Sequence, residues 1–150
     1  MIDRFSTFPM FTVTLTEVIG IVLSVIASIV VGGAWYSPFM FGRVWMEEVG
    51  LTEEKMKNMR TTPMQAISIA VVLGALFAVC MNVLFSWLGV RTIPQGATFA
   101  FASCFTFFVI PSLIHAVFED TSRKAWAIYA THELLLSALI GAIVSWSILA

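Results

Sequence analysis

The chain has 150 residues, 59% of them hydrophobic and 11% charged, against roughly a quarter charged in an ordinary soluble domain. Eight Lys plus Arg against nine Asp plus Glu leave a net charge of -1, which gives no electrostatic footing for nucleic acid. With no internal repeat or low-complexity tract, a single unit is expected, and its partners should be the lipid bilayer and other integral membrane proteins or itself.

Residues 1–10 lack a basic segment running into an apolar core and a small-residue cleavage site, so the first apolar run is expected to stay in the mature protein. Crossing a hydrocarbon core of about 30 Å takes roughly 20 apolar residues as a helix. Four stretches qualify: 16–36, 63–88, 96–118 and 125–149. They are continuously apolar rather than alternating, which excludes barrel strands. The predicted fold is an all-α integral membrane protein, a four-helix bundle. Pro38 is expected to stop the first helix, Thr62-Pro63 to open the second as cap and first-turn proline, and Pro94 to precede the third.

Small residues recur every fourth position in each run, and positions four apart share a helix face. The first run has Gly20, Ser24, Ser28 and Gly32. The second has Ala66, Ala70, Gly74, Ala78, Asn82 and Ser86, the third Gly96, Ala100 and Cys104, and the fourth Ser137, Gly141 and Ser145. Helices in lipid associate through such close approaches and a few polar contacts. The two longest seams make the first and second helices the expected central contact. Phe99, Phe101, Phe105, Phe107 and Phe108 crowd the third, a bulky surface for lipid or a partner. Cys80 and Cys104 fall inside apolar runs and read as small packing residues.

The first loop, 37–62, is too long for a simple turn. The segment 39–60 should lie on the membrane surface, with Thr52 capping a short amphipathic helix whose first turn holds Glu53 and Glu54 and whose end holds Lys57 and Arg60. Trp35, Tyr36, Trp45, Trp126 and Tyr129 fall near the first and third loops, and Trp87 and Trp146 at the opposite helix ends, as interfacial aromatics should. Six cations, Arg43, Lys55, Lys57, Arg60, Arg123 and Lys124, gather in the first and third loops against Arg4 and Arg91 elsewhere. Both termini are therefore expected outside a bacterial inner membrane or an organellar membrane.

Ionisable groups inside lipid are functional candidates by default. Here they are Glu17, His115, His132 and Glu133, with Asn82 as a further polar group. The short third loop makes the last two helices antiparallel neighbours and places His115, His132 and Glu133 at similar depth. Two readings stand: an interhelical hydrogen-bonded cluster, or a site for a proton, a metal or a tetrapyrrole such as haem or chlorophyll. Two histidines without a third ligand at defined spacing predict no metal site, and no cofactor beyond lipid is expected. Pro111 frees the Phe107 carbonyl and should bend the third helix.

Two resemblances follow from particular residues. The segment 15–20, Leu-Thr-Glu-Val-Ile-Gly, looks like the first-helix Ala-Glu-Val-Ile-Gly of small multidrug resistance transporters. That likeness would give Glu17 a drug- and proton-coupling role, although the long first loop and third helix depart from that family. The segment 32–46, Gly-Gly-Ala-Trp-Tyr-Ser-Pro-Phe-Met-Phe-Gly-Arg-Val-Trp-Met, followed by Leu-Thr-Glu-Glu at 51–54, resembles the small membrane proteins catalogued as domain of unknown function family seventeen sixty-one. That resemblance implies the four-helix layout and carries no activity. Its residues also read as a corner: Trp35, Tyr36 and Trp45 anchor the interface, Pro38 ends the helix, Gly42 permits redirection, and Arg43 reaches toward Glu119 and Asp120.

With no nucleophile elbow, phosphate-cradling loop or paired-carboxylate motif, the expected function is non-catalytic: an accessory or structural subunit packing within a larger membrane complex or a homo-oligomer. The alternatives are a small proton-coupled transporter or channel using Glu17 or His132 and Glu133, and pigment or haem attachment through His115 or His132.

Overall fold

The computed structural model describes residues 13–150, all in helices and the loops between them. The expectation about residues 1–10 and the charge of Arg4 lie outside the described residues. Four helical stretches are long and apolar enough to cross a membrane: α1 (Leu15–Trp35), α4 (Pro63–Leu88), the continuous run Ile93–Phe118, and α7 (Arg123–Leu149). Two short helices, α2 (Gly42–Glu48) and α3 (Glu53–Lys57), fill the first loop.

Each long helix opens on a hydroxyl cap that satisfies an otherwise orphaned backbone N–H. Thr14 and Thr62 form reciprocal capping boxes with Glu17 and Gln65, and Ser122 accepts from Ala125 N. Thr92 starts the third run three residues earlier than Gly96, with Pro94 inside its first turn rather than before it. Thr52 caps α3 as its spacing implies.

The third run is three pieces: α5 (Ile93–Cys104), a π-helical turn (Phe105–Val109) and α6 (Ile110–Phe118). Proline at 111 cannot donate to the Phe107 carbonyl and its ring crowds that turn. The chain widens instead, with Ile110 N–H reaching back five residues to Phe105 O, and α6 follows it directly.

The bundle is built around α7 and not, as the longest seams suggested, around the contact of the first and second spans. The most extensive packing is α5 on α7, then α1 on α7, then α1 on α4. What decides this is how closely backbones approach. A Cβ on Gly96 would meet Ser145 Oγ and come within 2.9 Å of the Gly141 carbonyl. One on Gly20 would collide with Ser147. The short Gly96–Ala100 seam therefore meets Gly141 and Ser145 without intervening side chains, and Phe85 and Val144 fill the adjoining core.

Three of the seam serines do not bridge helices. Ser24, Ser28 and Ser145 each donate to the carbonyl four residues earlier, at 2.7–2.8 Å. Their hydroxyls are satisfied at home, and they act as small spacers rather than interhelical polar links.

The seam of α4 is covered over half its length only. Ala78 and Asn82 are buried, Gly74 is half-buried, and Ala66 and Ala70 are exposed. Cys80 is exposed as well, so it is no packing residue of this bundle, whereas Cys104 is half-buried against the Ser137 hydroxyl. The phenylalanines divide: Phe99 packs edge-on to Phe85 and Phe108 edge-on to Tyr129, while Phe101, Phe105 and Phe107 face outward.

Candidate functional site

The corner that ends α1 folds back on that helix. Phe41 N–H donates to Trp35 O and Gly42 N–H to Ser37 O, at 3.0 and 3.1 Å, closing carbonyls that the helix end leaves open. Gly42 is required for lack of room and not for a left-handed backbone: a Cβ there would overlap the Tyr36 carbonyl and lie 2.9 Å from that of Ser37. The corner thereby holds Trp35 and Tyr36 inward. The Trp35 indole N–H donates to Ile128 O on α7 at 3.1 Å, and the Trp35 ring leans on Phe41.

Both rings close over His132. Its ring centre lies 5.3 Å from that of Tyr36 and 6.0 Å from that of Trp35. Gly32 presents its bare Cα on the third side, where a Cβ would stand 3.7 Å from Nε2. The imidazole is 8% exposed, and its Nδ1 is 3.1 Å from Glu133 Oε1. A carboxylate accepts, so the neutral ring carries its proton on Nδ1 and keeps a lone pair on Nε2. That Nε2 is buried with no hydrogen-bond partner among the described residues, a vacancy that native interiors seldom leave. Burial, and next the charge of Glu133, pushes the Tyr36 phenol up to about 12, so this ring stays neutral and protonated.

The corner motif and the polar pair on the last helix, independent in the sequence, thus form one site. His115 is not part of it. It is exposed and lines a separate cleft with Trp45 and Trp126. Similar depth on either side of the third loop suggested a shared neighbourhood, but His115 is exposed in that cleft while His132 is buried against Trp35 and Tyr36.

Glu17 and Asn82 make a third polar contact, far along the chain from the corner. Asn82 Nδ2 donates to Glu17 Oε1 at 3.2 Å. The other carboxylate oxygen accepts from Thr14 N–H and from the Thr14 hydroxyl, at 2.6 and 2.9 Å. All of these bonds hold helix α1 at its start and tie it to α4.

The first and third loops do meet, through Glu48 and not through Arg43, which is exposed. Glu48 accepts from Ser122 Oγ and pairs with Lys124 at 3.0 Å. The Ser122 hydroxyl, then Lys124, holds the Glu48 carboxyl below its usual range. Nothing in the sequence singled out Glu48. The available signal was its place one helical turn after Trp45, opposite a Ser-Arg-Lys helix start.

A family model described as "Protein of unknown function (DUF1761)" matches residues 19–145, a stretch that includes the 35–42 corner, His132 and Glu133. No curated protein and no solved structure matches the chain.

Proposed function

The chain belongs to this family of proteins of unknown function, and on that premise we propose that it is a non-catalytic, multi-pass subunit that packs within a membrane assembly, as a homo-oligomer or as an accessory chain of a larger complex. The half-covered seam of α4 carries this reading. Every residue from 61 to 70 is exposed. Acyl chains solvate the large ones, Met64, Ile67 and Ile69, as well as another protein would. The small pair Ala66 and Ala70 instead allows a second helix to approach backbone to backbone, the geometry by which helices associate in lipid. Following the cation bias of the loops, the first and third loops face the cytoplasm or its equivalent and both termini lie outside, in a bacterial inner membrane or an organellar one.

Extraction in a gentle detergent followed by native mass measurement and an absorption spectrum tests this. The expected result is a mass above that of one chain, without visible absorption. A monomer carrying no added protein contradicts the proposal, and a visible chromophore points to pigment attachment instead.

One observation favours a second reading, proton-coupled transport: the enclosed, unpartnered Nε2 of His132 beside Glu133. A buried lone pair next to a carboxylate is a place for a proton to land. In proteoliposomes with a trapped pH dye, a proton flux abolished by His132→Gln and Glu133→Gln, with both variants still folded, would support it. Flux no greater than in empty vesicles would remove it.

A further inference from the structure

The geometry points to a ligand site in the cleft between α2, α6 and α7, and we propose that it takes the zwitterionic head of an amine-bearing phospholipid. The cleft has a structural cause. α5 is locked on α7 at Gly96 and Gly141, and the π-helical turn before Pro111 separates it from α6. As a result α6 touches α7 far less than α5 does. α2 roofs the wedge that opens, a cleft of about 720 Å³.

Its walls are held in place. The Trp126 indole N–H donates to Ser112 Oγ at 3.0 Å, which joins α7 to α6 across the cleft. The Glu48 contacts with Ser122 and Lys124 fix α2, and with it Trp45. Trp45, Trp126 and Tyr129 line the interior, and Glu119 and Asp120 line its loop end. Among the described residues neither Glu119 nor Asp120 has an ion-pair partner, whereas the charge of Glu48 is met by Lys124.

Two uncompensated carboxylates in a cleft that two indoles also line attract an organic ammonium, by charge and by the ring quadrupole. An anionic or uncharged head gains neither term. These aromatics belong to the belt that marks the level of lipid headgroups, which makes the membrane itself the source of the amine. Arg123, exposed and next in the chain to Ser122 at the cleft wall, offers a cation to the phosphate of the same head. Occupancy by lipid is independent of whether α4 finds a partner.

The test uses the full chain in detergent with equimolar phosphatidylethanolamine and phosphatidylglycerol, reading bound lipid by native mass measurement. We expect the amine lipid to be retained roughly five- to tenfold over the glycerol lipid, and this preference to fall to parity in Glu119→Gln/Asp120→Asn. Trp45→Leu probes the same cleft from α2 and should also reduce the preference, which keeps the test decisive if the double variant fails to fold. Equal retention of the two lipids by the unaltered chain, or a preference that survives these substitutions, overturns the proposal. Displacement of the lipid by millimolar soluble phosphoethanolamine would overturn the assignment to a membrane source.

Discussion

Gly96 and Gly141 cross backbone to backbone: a Cβ added to Gly141 would stand 2.6 Å from the Gly96 carbonyl oxygen, and one added to Gly96 2.9 Å from that of Gly141. A carbonyl on a packed helix cannot step aside as a flexible side chain can. Gly96→Ala and Gly141→Ala should each destabilise by roughly 1–3 kcal/mol through overpacking. Gly33, with nothing within 4 Å of an added Cβ, is the control. Gly33→Ala should be neutral or gain up to about 1 kcal/mol from helix propensity. Thermal unfolding in detergent separates the three.

Glu17 is fully engaged by Thr14 and Asn82, which predicts unequal effects of two substitutions. Glu17→Gln keeps a side chain able to close the capping box and should leave the melting temperature nearly unchanged. Glu17→Ala loses the side-chain half of the capping box and the Asn82 contact together, while Thr14 still accepts from the N–H of residue 17, and should cost about 1–2 kcal/mol. If Glu17→Gln is as destabilising as Glu17→Ala, the carboxylate charge itself matters to the fold and the capping account is wrong.

The Glu48 clasp should depend on pH in one direction. Its carboxyl is held below the ordinary value of 4.5 by Ser122 and Lys124, so its contribution is present above that value and is lost as pH falls through the lowered one. Hydrogen exchange of the α2 amides should therefore accelerate, relative to Glu48→Gln, which lacks the clasp at every pH, once acidification passes below the ordinary carboxylate value of 4.5. A wild-type chain whose α2 exchange tracks that of Glu48→Gln across the range would show that the clasp does not hold α2.

The four spans were legible because crossing lipid demands length and continuous apolarity, and both are written directly in the residues. The starting caps at Thr52 and Thr62 were legible for a similar reason, since one hydroxyl and its spacing suffice. Which seam meets which was not. A four-residue repeat marks a face, while the partner of that face depends on the rotation and tilt of two helices. The long Ala66–Ser86 seam is accordingly only half used, and the short Gly96–Cys104 seam makes the closest contact. The same limitation separated His115 from His132: sequence distance from a shared loop gives depth and not the side of the helix. Pro111 announced a disturbance, but a missing donor alone does not say whether the helix kinks or widens to absorb it. α2 went unseen because it is seven residues long with no side-chain cap.

His132 offers a test of what the aromatic corner is for. Its Nε2 is unsatisfied, so an apolar residue of similar size removes a buried lone pair while keeping contact with Trp35 and Tyr36. Exchange of that unpaired atom for an apolar one is neutral or favourable, but His132 also meets Glu133 through Nδ1, so the comparison is made in a Glu133→Leu background, where no carboxylate loses its partner. There His132→Leu should leave the melting temperature unchanged or raised by a few degrees. A large loss would mean that Nε2 has a partner in the native membrane, a bound donor or a proton, and would strengthen the transport reading.

The most direct measurement of the packing role is cysteine cross-linking in the native membrane. In a background of Cys80→Ser and Cys104→Ala, Ala70→Cys places a thiol on the uncovered seam of α4, and Val72→Cys places one on the opposite face, which is exposed as well. The predicted result is rapid cross-linking at position 70, to a second copy or to one defined partner, with little at position 72. Equal and slow reaction at both positions would mean that lipid alone covers α4, and would contradict the proposed subunit role.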